Sequence, residues 1–335
     1  MSDELIKTGR IVTVFGGSGF VGRHVVRALA KQGWRIRVAC RRPDLANHLQ
    51  PLGRVGQIHA VQANLRYPAS VASALRGAEA VVNLAAVLTE SGSQTFGALH
   101  VGGARAVAKA AAEADISNVV HVSAIGADAQ SDSLYARTKG MGAAEILAAC
   151  PDAVIRRPTS IFGPEDAFFN RFAALARMSP ALHLFGGGET RFQPVYVGDV
   201  AEAIARALAG KAEAGAVYEL GGPEVKTFRE LMQYVCDVTG RRRLLLPLPF
   251  AAGNAMAFGT ELADKLSLGL FPKMLLTTRD QMKLLAVDNV VSPQALASHH
   301  TLQDLGIHPE AIESIVPTYL TRFRKSGQFE SQKTA

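Results

Sequence analysis

The sequence is poor in the residues that form disulfides and bind metals. Three cysteines occur in 335 residues, Cys40, Cys150 and Cys236, and they form no CxxC pair. The three are widely spaced and form no metal-like cluster, so the sequence indicates neither a disulfide framework nor a cysteine-based zinc site. We interpret the three as reduced, mostly buried thiols of a cytosolic-type compartment. The adjacent His299 and His300 have no further ligand-type neighbours in sequence, so we predict no metal site.

Long apolar runs and a targeting segment are also lacking. The segment closest to a membrane span, Leu244 to Thr260, contains Pro247, Pro249 and Asn254. It is also shorter than the roughly 20 apolar residues that a spanning helix needs. The stretch ahead of the first predicted strand is polar and too short for a signal peptide. We therefore expect no transmembrane helix and no signal peptide.

Charged residues are sparse, at 19% of the chain against 48% hydrophobic residues, a balance typical of folded proteins. The formal net charge is +7. An excess of that size suits an anionic cofactor, an anionic membrane surface or nucleic acid, and alone does not choose among them. Because no basic motif is interleaved with aromatic residues, we predict no nucleic-acid partner.

The most informative stretch lies near the amino terminus. Its residue patterns predict a strand, a helix and a second strand: Ile11–Phe15, Phe20–Lys31 and Arg35–Cys40. Gly16, Gly19 and Gly22 stand between the first strand and the helix at the spacing GxxGxxG. In that context the glycines allow a tight turn, close approach of the backbone to a pyrophosphate, and close packing of helix on strand. The unit therefore predicts dinucleotide binding, with the phosphates at the helix N-terminus.

The end of the second predicted strand indicates which dinucleotide binds. An acidic residue usually holds the ribose 2′-hydroxyl of NAD there, whereas arginine accommodates the 2′-phosphate of NADP. Here the strand ends at Arg41 and Arg42, and no acid occurs before Asp44. Two guanidinium groups clamp a phosphate through charge-assisted hydrogen bonds. We therefore predict NADP(H); the alternative is that the two arginines are a solvated surface pair.

The rest of the chain alternates strands with helices. Further strands are predicted at Gln57–Val61, Ala80–Leu84, Asn118–Ser123 and Val154–Arg157, with helices at Val71–Leu75, Phe96–Ala114 and Leu134–Ala149. Such alternation predicts an α/β fold, a doubly wound parallel sheet covered on both faces. After Pro158 the pattern loosens, with a strand at Gln193–Val197, a helix at Val200–Leu208 capped by Asp199, and a strand at Val217–Leu220.

Three residues form a candidate catalytic set. Ser123 ends the fifth predicted strand, where open parallel sheets bind ligands, and Tyr135 and Lys139 follow at the spacing YxxxK. Residues i and i+4 share a helix face, so both side chains reach one cleft. We expect the ammonium to lower the pKa of the phenol and make Tyr135 a proton donor and acceptor, with Ser123 orienting a carbonyl oxygen. The alternative is an exposed Tyr/Lys helix pair without a catalytic role.

These motifs together resemble the short-chain dehydrogenase/reductase superfamily in its extended form, and the resemblance covers nearly the whole chain. A narrower resemblance lies in GPEDAFFNRFA (Gly163 to Ala173) and FQPVYVGDVAEAI (Phe192 to Ile204). These segments are similar to bacterial relatives of the NADH:ubiquinone oxidoreductase alpha-subcomplex subunit nine family. That family implies a Rossmann fold, tightly held NADPH and an accessory, structural role in respiratory complex I. Mitochondrial members often lose the Tyr/Lys pair, whereas this chain keeps it.

The resemblance also extends the set of expected cofactor contacts and the domain plan. In the order of the chain, the expected contacts are Gly16, Ser18, Gly19, Phe20, Val21, Gly22, Arg41, Arg42, Asn64, Leu65, Leu84, Ala85, Ala86, Val87, Ser123, Tyr135, Lys139, Pro158, Thr159, Ser160 and Ile161. Asn64 and Leu65 are expected at the adenine, and Leu84 to Val87 along the middle of the nucleotide. We expect a cofactor domain over residues 1–165, with 190–222 returning to its sheet, and a smaller, mostly helical domain over 166–189 and 223–330.

The expected partners are complex I subunits of the quinone module and an anionic membrane surface. The resemblance implies a peripheral position on the cytoplasmic side of a bacterial inner membrane, with the C-terminal region near the quinone entrance. Residues Arg241–Arg243 beside Leu244–Phe258, and Leu266–Phe271 beside Lys273, combine basic charge with apolar surface. The alternative is that these apolar residues pack inward.

Three functions stay open at this point. The first is an NADPH-binding accessory subunit of complex I. The second is an active NADPH-dependent reductase or epimerase acting on a hydrophobic or quinone-related substrate. The third is a redox-sensing module that changes partners with NADPH.

Overall fold

The computed structural model describes residues 9–267, 270–272, 275–325 and 327. Leu268, Gly269 and Lys273 of the predicted basic and apolar surface lie outside the described residues, as do the outermost residues of the two predicted domains. The chain forms two compact units. The first comprises Met1–Pro158, Val197–Leu220 and Val291–His308, and the second comprises Thr159–Tyr196, Gly221–Val290 and Pro309–Ala335.

The strands and helices follow in chain order. The strands are β1 Ile11–Phe15, β2 Arg35–Cys40, β3 Ile58–Gln62, β4 Ala80–Asn83, β5 Asn118–Val122, β6 Val154–Pro158, β7 Ile161–Phe162, β8 Ala181–Phe185, β9 Arg191–Phe192, β10 Val195–Tyr196, β11 Val217–Leu220, β12 Lys226–Thr227 and β13 Leu244–Leu248. The α-helices are α1 Phe20–Lys31, α2 Pro68–Leu75, α3 Gly103–Glu113, α4 Leu134–Ala149, α5 Phe169–Met178, α6 Val197–Leu208, α7 Phe228–Val238, α8 Phe250–Leu266, α9 Arg279–Leu285, α10 Pro293–Ala297 and α11 Ile312–Leu320.

The first unit is built on a seven-stranded parallel sheet in the order β11-β6-β5-β4-β1-β2-β3. Helices α2, α3 and α4 pack their apolar side chains on one face of this sheet, while α1 and α6 contact each other. The strand order reverses direction on either side of β1, so the carboxyl ends of β1 and β4 flank the point where such sheets bind nucleotides. The predicted doubly wound α/β fold is confirmed.

Several predicted elements match the structure residue for residue, including β1, α1, β2 and α4. Their apolar spacing is regular because one face of each helix and both faces of each central strand are buried. Val12 and Val14 of β1, for example, are fully buried. These elements carry the glycine turn and the Tyr/Lys pair.

Three local predictions are wrong. The single helix predicted from Phe96 begins as a π-helical segment, Gly97–Gly102, before α3. Asp199 is not the N-cap residue of α6, because that helix already begins at Val197 and places Asp199 in its first turn. The strand predicted around Gln193 is limited to β10, which pairs with β7 rather than with the large sheet.

The second unit has an aromatic core of its own. Helices α5, α7 and α11 pack around Phe162, Phe169, Phe192 and Phe228. Within the region after Arg241, whose sequence shows no strand alternation, β13 pairs in parallel with β8. Pro247 makes this strand hard to predict from the sequence. The proline is tolerated because both strands of a two-stranded sheet are edge strands. Among the described residues, the apolar helices all fall short of what crossing a membrane requires.

Candidate dinucleotide-binding site

The glycine turn between β1 and α1 closes tightly on itself. Gly16 has a φ of +79°, and its carbonyl oxygen accepts a hydrogen bond from the Gly19 N–H at 3.1 Å. A Cβ at Gly22 would overlap the Gly16 carbonyl oxygen and lie 2.5 Å from the Cα of Gly17. A Cβ at Gly16 would lie 3.1 Å from the Ala85 nitrogen, which brings the turn against the loop after β4. Gly16 and Gly22 are therefore required by close backbone packing.

The N-terminus of α1 is open to an anion. Its N-cap residue, Gly19, contributes no side-chain cap, and the first turn contains no acidic residue. Ser18, Phe20 and Val21 are half-buried around it, and Gly19 is exposed. The first N–H groups of a helix have no partner within the helix and carry its positive dipole end. Together with the glycine turn, this geometry fits a pyrophosphate.

The two arginines at the end of β2 are not equivalent. Both are exposed, but Arg42 forms an ion pair with Asp44, with 2.7 Å between Nη2 and Oδ2 and 3.0 Å between Nε and Oδ1. The Arg42 guanidinium lowers the pKa of the Asp44 carboxyl below its usual value. Arg41 stands beside this pair. A 2′-phosphate bound here would contact Arg41 and would share the Arg42 guanidinium with the Asp44 carboxylate.

The expected contacts that follow β3 and β4 differ in their exposure and in their hydrogen bonds. Asn64 is half-buried, and its side chain accepts a hydrogen bond from the Arg66 N–H at 3.1 Å. Leu65 packs into the core of the first unit, so its side chain does not lead toward solvent.

The Ala85 N–H donates to Asn83 Oδ1 at 3.2 Å, and Ala86 is exposed. Leu84 lies against the glycine turn, since a Cβ at Gly16 would be 3.1 Å from its carbonyl carbon.

Ser123 and Lys139 join the end of β5 to α4. The Ser123 hydroxyl donates to the Lys139 carbonyl oxygen at 3.2 Å, and the Lys139 Nζ donates to the Val122 carbonyl oxygen at 2.6 Å. Both residues are buried, with Lys139 only 2% exposed. Burial lowers the pKa of Lys139 to about 7. The structure therefore brings two members of the predicted catalytic set into one hydrogen-bonded group.

Tyr135 lies one turn earlier on α4, and its ring packs edge-on against Phe96 and His100, with centroids 5.8 and 5.4 Å away. We expected the Lys139 ammonium to lower the pKa of this phenol. Burial instead raises the pKa of Tyr135 to about 12. The expected direction is wrong for this structure, because Lys139 is directed to the Val122 carbonyl and loses its own proton near neutral pH.

The final group of expected contacts begins at the end of β6. Pro158 closes that strand in the first unit. Thr159, Ser160 and Ile161 begin the second unit: the Ser160 N–H and hydroxyl donate to Asn289 Oδ1 at 2.7 and 3.0 Å, and Ile161 is in β7. Their contact with a cofactor stays a prediction.

Two buried histidines near the site were not singled out in the sequence. His100 and His121 are 3% and 2% exposed, and each is the sole histidine of an otherwise apolar or glycine-rich segment. The Asn83 amide lies 3.1 Å from His121 Nδ1. A histidine within a strand or helix predicted to be buried needs a polar partner, and this is the signal that would have marked both positions.

Within the described ranges, no three His, Cys, Asp or Glu side chains are grouped so that they could hold a metal ion. The open helix terminus and the glycine turn instead fit a dinucleotide. Residues 12–221 match the model of the NAD dependent epimerase/dehydratase family. The chain belongs to this family. The match covers the whole glycine turn, the β2 end and the Ser123, Tyr135 and Lys139 set.

Two curated relatives match most of the chain or nearly all of it. NADH dehydrogenase [ubiquinone] 1 alpha subcomplex subunit 9 of Arabidopsis thaliana is 34% identical over 324 residues, covering 96% of this chain and 79% of the relative. The ceramide reductase of Caulobacter vibrioides is 32% identical over 243 residues, covering 71% and 74% of the two chains. The resemblance to the alpha-subcomplex subunit nine family is confirmed.

Solved structures agree on the fold. The crystal structure of UDP-glucose 4-epimerase from Thermus thermophilus in complex with NAD superposes with a TM-score of 0.66 at 21% identity. The match covers 94% of this chain and 99% of the epimerase. At this level of identity the likeness establishes the extended Rossmann fold, and the family itself is NAD(P)-binding.

Lys139→Met is expected to stabilise the chain more at neutral than at alkaline pH. Burial lowers the pKa of Lys139 from 10.5 to about 7 in the folded chain, so between these values the unfolded chain binds the additional proton. The free energy of unfolding of the wild type therefore rises with pH across this window, by up to about 1.4 kcal/mol per pH unit. The variant lacks this contribution. Urea unfolding of both proteins across the window measures the difference, and a difference that stays constant with pH would contradict the assignment.

Proposed function

We propose that this chain is an NADPH-binding accessory subunit of respiratory complex I, which stabilises or assembles the complex near its quinone site. The observation that supports this most is the similarity to alpha subcomplex subunit 9, which runs over 96% of the chain and thus includes both compact units. The similarity therefore extends beyond the dinucleotide-binding unit. The proposed partners of this chain are the subunits of the quinone module.

The proposed cofactor is NADPH. The glycine turn and the N-terminus of α1 receive the pyrophosphate, Arg41 and Arg42 receive the 2′-phosphate, and Tyr135 and Lys139 hold the nicotinamide ribose. Bound in this way, the cofactor stabilises the folded chain by mass action, by about 2.7 kcal/mol when its concentration is 100 times its dissociation constant. An accessory subunit needs no turnover for this effect.

The proposed membrane contact is a face of α8 in the second unit. Phe258, Leu262 and Leu266 follow at intervals of four residues and are 55%, 46% and 77% exposed, while Gly253 and Ala257 point into the unit. Exposed apolar stripes of this kind mark contact with proteins or membranes. Lys265 in the last turn supplies the basic charge that favours an anionic bilayer. We propose that this face lies on the cytoplasmic side of a bacterial inner membrane.

Replacing Phe258, Leu262 and Leu266 together by glutamine is expected to weaken binding to anionic vesicles at least tenfold. Each side chain loses part of the roughly 1.5–3 kcal/mol that full burial of a large apolar group contributes. Co-sedimentation with phosphatidylglycerol vesicles measures the binding. A matched control replaces the exposed Leu45, Val55 and Leu88 of the first unit by glutamine and should leave binding unchanged. Equal partitioning of both variants would contradict the membrane contact.

The test of the complex I role is affinity purification of the tagged chain from gently solubilised membranes of its native cell. The expected result is recovery of quinone-module subunits in a fixed ratio to the tagged chain. Deleting the gene should lower the amount of assembled complex, and the wild-type gene should restore it. Recovery of the chain without any complex I subunit would contradict the role.

A second candidate function is an NADPH-dependent reductase or epimerase on a hydrophobic substrate. It is favoured by the similarity to the ceramide reductase and by the joined Ser123 and Lys139 beside Tyr135. When bound, NADPH supplies a hydride to the carbonyl carbon. Tyr135 then donates the phenol proton to the carbonyl oxygen, Ser123 orients that oxygen, and the product is an alcohol.

NADPH oxidation in the presence of long-chain lipid ketones and short-chain quinones distinguishes the two candidates. The reductase predicts turnover by the wild type and a loss of at least a hundredfold in Tyr135→Phe, which keeps the ring but lacks the proton. The accessory role predicts no turnover by either protein and unchanged recovery of complex I subunits by Tyr135→Phe.

A further inference from the structure

A buried histidine joins two segments that carry expected cofactor contacts, the loop after β4 and helix α4. His100 lies in the π-helical segment Gly97–Gly102. Its Nε2 accepts a hydrogen bond from the Val87 N–H at 3.2 Å, and its Nδ1 lies 3.0 Å from Thr138 Oγ1. Val87 belongs to the loop after β4, and Thr138 lies on α4 between Tyr135 and Lys139. One imidazole thus spans the loop and the helix.

The direction of each hydrogen bond follows from Val87. A backbone N–H only donates, so Nε2 is the acceptor and Nδ1 carries the ring proton. Nδ1 therefore donates to Thr138 Oγ1, whose own proton goes to the Leu134 carbonyl oxygen at 2.8 Å. Burial, with the nearby Lys139 charge, lowers the pKa of His100 to about 4. The ring is neutral at physiological pH, as this arrangement requires.

The packing around His100 leaves the ring little freedom. It stacks on Phe96 with the centroids 5.2 Å apart and meets the Tyr135 ring edge-on. A Cβ at Gly142 would overlap the His100 carbonyl oxygen, so α4 passes directly over this point. π-helical segments occur frequently at functional sites. Here the π-helical segment carries the His100 side chain, which contacts both the loop after β4 and helix α4.

We propose that His100 is a positioning residue for the nicotinamide half of the dinucleotide. It holds Val87 in the loop against which the middle of the nucleotide lies, and it holds the α4 turn that carries Tyr135. Of these contacts, Thr138 and Tyr135 lie beside the expected nicotinamide position, and Val87 lies in the loop expected along the middle of the nucleotide. The adenine half depends instead on the glycine turn and Arg41. The inference rests on the proposed NADPH binding. It makes the affinity for the nicotinamide half of the cofactor depend on a residue outside the glycine and YxxxK motifs.

Two substitutions each keep one of the two hydrogen bonds of His100 and remove the other. His100→Gln places an acceptor at the ε position and keeps the bond from Val87, whereas His100→Asn places its amide at the δ position and keeps the bond to Thr138. His100→Ala removes both. His59, exposed on β3 and bonded locally to the Gly56 carbonyl, provides the matched control His59→Gln.

The measurement is titration of each protein with NADPH and with adenosine 2′,5′-bisphosphate, which carries only the adenine half. We expect His100→Ala and His100→Asn to weaken NADPH binding at least tenfold, His100→Gln to restore most of it, and bisphosphate affinity to stay within twofold throughout. Unchanged bisphosphate binding also shows that the variants are folded. Unchanged NADPH affinity in every variant, or an equal loss for both ligands, would overturn the inference while leaving NADPH binding by the wild type intact. A wild type that binds neither ligand overturns the proposed cofactor and the inference together.

Discussion

Gly22→Ala is expected to abolish NADPH binding at concentrations that saturate the wild type. The added Cβ would overlap the Gly16 carbonyl oxygen and lie 2.5 Å from Gly17, and these backbone atoms cannot move aside as a flexible side chain does. Either α1 shifts away from the sheet or the turn opens, and both changes displace the N–H groups that receive the pyrophosphate. Overpacking of this kind also costs about 1–3 kcal/mol of stability. Isothermal titration with NADPH measures the loss.

Gly259→Ala is the matched control. A Cβ at Gly259 meets nothing within 4 Å, and Gly259 lies inside α8, where alanine is favoured over glycine by roughly 0.5–1 kcal/mol. This variant should bind NADPH as the wild type does and unfold at the same or a higher temperature. If Gly22→Ala bound NADPH with wild-type affinity, the cofactor would not lie at the glycine turn.

Replacing Arg41 and Arg42 together by alanine is expected to weaken NADPH binding about a hundredfold and leave NADH binding within threefold. Hydrogen bonds to charged groups contribute about 1.5–3 kcal/mol each, and only NADPH carries the 2′-phosphate. Because Arg42 is already paired with Asp44 at 2.7 Å, Arg41→Ala should account for more of the loss than Arg42→Ala. Competition between the two dinucleotides, measured by fluorescence, gives both affinities.

Two further variants sharpen this test of cofactor preference. Asp44→Asn removes the carboxylate that shares Arg42 and should tighten NADPH binding severalfold. Arg54→Ala removes a positive charge from the same unit without touching the β2 end, so it controls for the general loss of charge. Parallel changes in NADPH and NADH affinity across these variants would show that the arginines are a solvated surface pair.

The glycine unit was predictable from the sequence because its strand, its glycines and its helix are contiguous in the chain. The apolar spacing of β1 and α1 matches their burial, and Gly33 ends the helix with a φ of +84°, a conformation that favours glycine. The parallel sheet followed from the alternation of strands and helices. The position of Ser123 and of the Tyr135 helix face then followed from the topology of the sheet, since carboxyl ends of parallel strands share one edge.

The features that the sequence concealed depend on distant contacts. The hydrogen bonds of His100 join residues 13 and 38 positions away in the chain, and no local pattern encodes such a pairing. The pKa of Tyr135 depends on how deeply α4 is buried and on where Lys139 donates its hydrogen bond. Pro247 hid β13, because a proline in an apolar run argues against a strand unless the strand lies at an edge.

The retained Ser123, Tyr135 and Lys139 serve both candidate functions. In an accessory subunit they hold the nicotinamide ribose, and in a reductase they also transfer a proton. Both roles require the same cofactor site, and the proposal for His100 rests on it. The cofactor is therefore the claim to test first.

Native mass spectrometry of the purified chain, before and after addition of NADPH and NADH in equal amounts, tests that claim most directly. We predict a complex of one chain with one NADP(H), present on purification or formed from the mixture in preference to NADH. A chain that stays free of dinucleotide in the mixture, or that takes up NADH instead, would contradict the account.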